Sequence, residues 1–178
     1  MVEVECTAPS ATFPSVEDER HGDGQIIPSI ADVMPGSVEF LREQFGVEGF
    51  QSAHNPEEVI APAKYDLVFV LSMFTHLPTH MWGPWLRALG RTVKPGGLLV
   101  FSVHNEDVAK EIGVVFGADG THFIASSESP SIDAQTYGTT FTTNRFVDDS
   151  VTAVFGAGPL YYRAQGFWNG QDGVVVRL

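Results

Sequence analysis

The most regular pattern of apolar and polar positions lies between Lys64 and Asn105. Tyr65 to Leu71 reads Y-D-L-V-F-V-L, interrupted only by Asp66. A short continuous apolar run with β-branched members predicts a strand covered on both faces, as in a parallel sheet. The apolar residues Met81, Trp82, Trp85, Leu86, Leu89 and Val93 then follow helical spacing. They predict a helix with one buried stripe, and Thr79 stands where an N-cap would. Pro95-Gly96-Gly97 predicts a turn, because proline presets φ and glycine admits positive φ. Leu98 to Val103 reads as a second buried strand. Strand, helix and strand with a crossover of this length form a right-handed βαβ unit. Ligands of open α/β sheets collect beyond the carboxyl ends of the strands. That rule puts Ser72-Met73-Phe74-Thr75-His76 and His104-Asn105 at the expected site.

Elsewhere the pattern is weaker. Val2 to Cys6 alternates and is a candidate short strand, and residues 7–24 read as loop. Gln25 to Ala31 predicts a strand weakened by Pro28, ending in Asp32-Val33-Met34-Pro35. Ser37 to Phe45 predicts a helix stopped by Gly46. Gly49 to Ala53 predicts a short strand, with Asn55-Pro56 opening a turn. Glu106 to Gly117 predicts a helix over the site, and Gly120 to Ser131 a polar loop on the substrate side. Tyr137 to Thr142 is β-rich, and Asn144 to Phe155 returns to near-helical spacing. The expected organisation is an irregular segment over 1–24 followed by one α/β domain over 25–178.

Composition narrows the class of partner. A chain of 178 residues with 43% hydrophobic and 18% charged residues is expected to be one soluble domain with a real core. A net charge of −12 argues against nucleic acid, whose phosphates it would repel. The lone cysteine, Cys6, excludes an internal disulfide and a cysteine-rich metal site. No apolar stretch reaches membrane-spanning length. The acidic start M-V-E-V-E-C-T-A is unlike a signal peptide, so the cytoplasm is the expected compartment. The pattern leaves the oligomeric state open.

Y-D-L-V-F-V-L-S-M-F-T-H-L followed by V-K-P-G-G-L-L-V-F resembles the fourth and fifth strand motifs of class I S-adenosylmethionine-dependent methyltransferases. It is most similar to the subgroup with an S-x-F-T/S-H-L segment and a late Gln-Asp strand, here Gln171-Asp172. The resemblance covers roughly Gln25 to Leu178. It implies a Rossmann-like, mostly parallel sheet in the order 3-2-1-4-5-7-6, with the last strand antiparallel to its neighbours. It implies S-adenosylmethionine as cofactor and a small-molecule or sugar-like acceptor. Asp32 carries over as the acceptor of ribose hydroxyl hydrogen bonds, and Val33 and Met34 as the adenine packing surface. Asn55 stands near the position that meets the adenine amino group, and a plain turn role fits it equally. Leu71, Ser72 and Met73 line the cofactor side of the fourth strand. The glycine-rich turn that the family places after its first strand should fall near residues 7–14. The text there is T-A-P-S-A-T-F-P, and the first glycine is Gly22. Val2 to Cys6 is thus a degenerate first strand, or the true one is missing.

Methyl transfer asks the protein mainly to align an acceptor with the cofactor. A base is needed only where the acceptor holds a proton. His76 and His104 are the candidates, each with packing as its competing role. His76 and His80 are four apart, but Pro78 lies between them and no third ligand is evident, so no metal is expected. Two main readings stand: a methyltransferase, or a methyltransferase-derived domain without catalysis that serves as a binding or structural module. A third, an NAD-binding Rossmann enzyme, is weakened by the same missing glycines.

Overall fold

A computed structural model describes residues 26–125, 136–167 and 170–178. The candidate strand Val2 to Cys6 and the irregular segment 1–24 lie outside the described residues. The elements run β1 (Ser29–Asp32), α1 (Ser37–Phe45), β2 (Glu48–Gln51), β3 (Tyr65–Val70), α2 (Thr79–Thr92), β4 (Val93–Val103), α3 (Glu106–Glu111), β5 (Thr121–Ile124), β6 (Thr139–Thr142), α4 (Asn144–Phe155), β7 (Tyr161–Arg163) and β8 (Asp172–Arg177).

β3 and β4 pair in parallel across α2, as the βαβ reading requires. β8 returns antiparallel against β4, with Leu99 opposite Val176 and Phe101 opposite Val174. β7 closes that sheet, giving the order β3-β4-β8-β7. β1 and β2 pair in parallel as a separate two-stranded sheet. Read together, β2-β1 and β3-β4-β8-β7 reproduce the expected order with the first strand left out. Among the described residues, β1 and β3 are each paired on one side only. Ser29 Oγ and Tyr65 Oη lie 3.2 Å apart, so the starts of β1 and β3 lie close together.

The core sits between the four-stranded sheet and α2 and α4. Trp82, Trp85 and Leu86 of α2 are buried with Leu99, Phe101 and Val103 of β4 and Val147 and Val151 of α4. Phe74 packs at 4.7 Å from the Phe101 ring and at 4.9 Å from the Trp82 ring. Burying side chains of this size stabilises by about 1.5–3 kcal/mol each.

Several elements depart from their sequence reading, for identifiable reasons. β1 starts at Ser29 rather than Gln25: Pro28 offers no N–H, and Ile26 and Ile27 stand in solvent. Tyr65 to Val70 is a strand, but it is not covered on both faces. Leu67 and Phe69 are 56% and 52% exposed, because they lie beside the open edge next to β1. Pro95-Gly96-Gly97 does not separate helix from strand. α2 runs directly into β4, and the register steps from Tyr65–Val93 to Leu67–Leu98, so these residues form a bulge inside the strand. Gly96 has φ +81°, and a Cβ at Gly97 would sit 2.8 Å from the Asp66 carbonyl oxygen, so both positions require glycine. Thr79 is not the N-cap. Pro78 holds that place in extended conformation, and the Thr79 hydroxyl meets Thr121 Oγ1 at 3.2 Å. The helix from Glu106 stops at Glu111, before Gly113 at φ +73°. Thr121 to Ile124, expected as loop, is β5, paired antiparallel with β6 from Thr121–Thr142 to Ile124–Thr139. Its two apolar residues are too few to announce a strand; long-range pairing makes one.

Candidate functional site

The rim beyond β3 and β4 is built by three turns and one strand laid across them. β3 ends at Val70, and Ser72 then takes φ +58°. A non-glycine residue adopts this left-handed conformation only where its surroundings hold it. Here the Ser72 N–H donates to Ser102 Oγ at 2.8 Å. Ser102 Oγ donates to Gln171 Oε1 at 2.7 Å. Gln171 Nε2 donates back to Ser72 Oγ at 3.0 Å. The ring of hydrogen bonds closes over three elements: the end of β3, the end of β4 and the start of β8. Ser102 and Gln171 are buried, so the ring satisfies polar groups that water cannot reach. Thr75 Oγ1 donates to the Ser72 carbonyl at 2.5 Å and tightens the turn further.

Beside it, Asn105 caps α3, its Oδ1 accepting from the N–H groups of Asp107 and Val108 at 3.0 Å. Its Nδ2 donates to Asp172 Oδ1 at 2.6 Å, which also accepts from the Gln165 N–H at 2.8 Å. The Gln-Asp pair opening β8 therefore has a physical role. Gln171 grips the ends of β3 and β4, and Asp172 grips the turn after β4. The sequence signalled the pair only through family resemblance. Ser102, an interruption in an apolar strand, was the signal that reasoning from residues passed over.

β6 crosses this rim from His76 to His104. Gly138 N–H donates to the His76 carbonyl at 2.9 Å, Thr140 N–H to the Thr75 carbonyl at 2.7 Å and Thr142 N–H to the His104 carbonyl at 2.9 Å. The two histidines named from sequence are thus brought to one ledge. His76 Nδ1 lies 2.7 Å from the Gly138 carbonyl oxygen. A carbonyl only accepts, so Nδ1 carries the proton and the Nε2 lone pair is left to accept one. The His76 ring stacks on Tyr137 at 4.7 Å. His104 stacks on Phe141 at 5.1 Å, and its buried Nδ1 meets no hydrogen-bond partner among the described residues. Burial, then the neighbouring His76, hold the His104 pKa below the ordinary histidine value, and a Thr140 backbone group offsets part of this. The two larger effects both favour the uncharged form of His104.

The other wall follows β1. Asp32 Oδ1 accepts from the Met34 N–H at 2.7 Å, an Asx turn that sets the carboxylate. Gln51 of β2 steadies this turn, its Nε2 donating to the Asp32 and Val33 carbonyls at 3.0 and 2.7 Å. Asp32 and Val33 are half-buried and Met34 is exposed. A shallow hollow lies against Asp32, Pro35 and Phe40. Asn55 takes the turn role: its Oδ1 accepts from the Glu57 N–H at 3.0 Å and its Nδ2 donates to Glu58 Oε1 at 3.2 Å. Leu71, Ser72 and Met73 are half-buried on the facing side. Among the described residues, no three metal-ligating side chains gather, and no helix is long and apolar enough to cross a membrane.

No family model matches this sequence, and no curated protein matches it. Solved structures do. The chain superposes on the 1,6-didemethyltoxoflavin-N1-methyltransferase of Burkholderia thailandensis, solved with 1,6-didemethyltoxoflavin and S-adenosylhomocysteine. The TM-score is 0.59 and the identity 15%, over 84% of this chain and 60% of that one. PigF, solved with S-adenosylhomocysteine, gives 0.55 and 16% over 84% of this chain and 43% of that one. An S-adenosylmethionine-dependent methyltransferase from Clostridium acetobutylicum gives 0.54 and 11% over 84% and 74%. This chain thus spans less than two thirds of the length of the first two. Identities this low establish the fold. The chain has the Rossmann-like α/β fold of class I S-adenosylmethionine-dependent methyltransferases, with parallel strands in a central sheet joined by antiparallel strands.

Proposed function

We propose that the protein is an S-adenosylmethionine-dependent methyltransferase for a small-molecule or sugar-like acceptor. What supports this reading is a methyltransferase-like fold in which an Asx turn at Asp32 ends β1 and a left-handed turn at Ser72 follows β3, at strand ends of the kind where such folds receive ligands. The described residues fit the nucleoside half of the cofactor. A carboxylate oriented by its own backbone suits ribose hydroxyls, Val33 and Met34 offer an apolar face, and Leu71, Ser72 and Met73 stand opposite. Asn55 spends its carbonyl oxygen on its own turn, so it contributes shape. When bound, the cofactor supplies an electrophilic methyl group on a sulfonium. The chain's own task is to bind, orient and deprotonate the acceptor. His76 suits the last step: Nε2 takes the acceptor proton while Nδ1–H stays on the Gly138 carbonyl. His104, neutral and stacked, fits as a wall and a weaker candidate for proton transfer.

A second reading, a domain of the same fold without catalysis that serves as a binding or structural module, draws support from one observation. No glycine precedes Gly22, so the glycine-rich motif expected near residues 7–14 is absent from the sequence there. Titration calorimetry with S-adenosylhomocysteine separates the two. Binding tighter than about 100 μM, near −5.5 kcal/mol, is expected, with Asp32→Ala weakening it about tenfold or more by removing charge-assisted hydrogen bonds. Absence of binding at millimolar ligand would sink the enzyme reading and favour the module.

A further inference from the structure

Ser72 carries strain that the rest of the rim must balance. Its φ of +58° is a conformation that glycine adopts freely and serine does not. Besides the Thr75 hydroxyl on the Ser72 carbonyl, two side chains hold it there. The Ser72 N–H reaches Ser102 Oγ, Ser102 Oγ reaches Gln171 Oε1, and Gln171 Nε2 reaches Ser72 Oγ. Ser102 is fully buried and Gln171 is 3% exposed, so water cannot replace either partner. Gln171 lies 99 residues from Ser72, and the antiparallel pairing of β8 with β4, Ser102 opposite Gly173, is what carries it there. A second hydrogen bond joins the same pair, Ser72 Oγ to Gln171 Oε1 at 3.2 Å. The side chain of Gln171 therefore works as a two-point clamp rather than as a general filler of the core.

We infer that Gln171, acting with Ser102, is a positioning residue that locks Ser72 in its left-handed turn and so sets the cofactor-facing wall after β3. This deepens the proposed function and rests on it. Ser102 holds the Ser72 backbone N–H, and Gln171 holds both Ser102 Oγ and the Ser72 hydroxyl, so loss of either should let the chain after Val70 relax toward an ordinary φ. The wall formed by Leu71, Ser72 and Met73 then moves while the core beneath it stays packed. A glycine at position 72 would hold the same conformation without any clamp. That distinction separates positioning from simple stability.

The test is S-adenosylhomocysteine affinity by calorimetry on the full chain, well below each variant's melting temperature. Ser102→Ala and Gln171→Leu are each expected to weaken binding about tenfold. With Ser72→Gly taken as its own reference, adding Ser102→Ala or Gln171→Leu to it is expected to cost less than about threefold, so that Ser72→Gly repairs most of the loss each causes in the wild-type background. Ser102→Ala is the milder change and decides the matter if Gln171→Leu does not fold. Unchanged affinity in Ser102→Ala, or a loss that Ser72→Gly does not repair, overturns the inference while leaving the functional reading in place. Absence of binding by the wild-type chain overturns the functional reading, and the inference falls with it.

Discussion

On β4, Leu99, Phe101 and Val103 are sealed from solvent, whereas on β1 no residue is buried. β4 has β3 on one side, β8 on the other and α2 packed over it. β1 has β2 on one side and α1 over it, and of α1 only Val38 is buried. Each sheet ends a strand in a turn that the proposed site uses, at Asp32 and at Ser72. One turn rests on a packed core and a closed ring of buried hydrogen bonds. The other rests on an Asx turn and one exposed glutamine, Gln51. A two-stranded sheet alone is marginal in water, so the Asp32 wall depends on what lies along the open edges of β1 and β3. The Ser72 wall does not. The ledge that holds the histidines is thus fixed by the fold, and the wall that would meet a nucleoside is the softer of the two.

Substitutions matched across the two halves test that contrast. The largest effect is expected from paired truncations. Phe101→Ala removes a ring touching Phe74 and Trp82 and should cost about 3–5 kcal/mol, whereas Phe50→Ala, at a half-buried place on β2, should cost well under half of that. Denaturant unfolding of the two variants checks it, and equal losses would mean the halves are equally packed. Next come two asparagines with the same capping chemistry. Asn105→Ala takes one hydrogen bond from the buried Asp172 carboxylate, leaving that from the Gln165 N–H, as well as uncapping α3, and about 2–3 kcal/mol is expected. Asn55→Ala uncaps an exposed turn, and about 0.5–1 kcal/mol is expected. Thermal melts under one buffer would show whether the order holds.

The smallest effect concerns His104. Its folded pKa lies below the ordinary 6.5, so between these two values the unfolded chain binds more protons. Stability therefore rises with pH across that window, is complete above about 6.5 and is lost as pH falls toward the folded value. His104→Phe keeps the ring stack and removes the titration. Its melting temperature should vary less than the wild type's between about pH 6.5 and pH 5. A wild-type curve as flat as the variant's would show that His104 is not held neutral.

What the residues alone determined was the central βαβ unit: Tyr65 to Val70, the apolar stripe of α2 and Leu98 to Val103 carry periodicities that β3, α2 and β4 follow. The strand-end rule named Ser72, His76 and His104 as candidates, and these residues come after β3 and β4. Elements whose identity depends on distant partners were not legible. Thr121 to Ile124 becomes a strand because Thr139 to Thr142 pairs with it, and Leu67 and Phe69 stand exposed because of what borders β3. The clamp was hidden for the same reason. Ser102 reads as a flaw in an apolar strand and Gln171 as a polar residue near the end of the chain. Only the antiparallel return of β8 brings them to Ser72, since hydrogen-bond partners are chosen by proximity in space, and sequence separation carries no information about it.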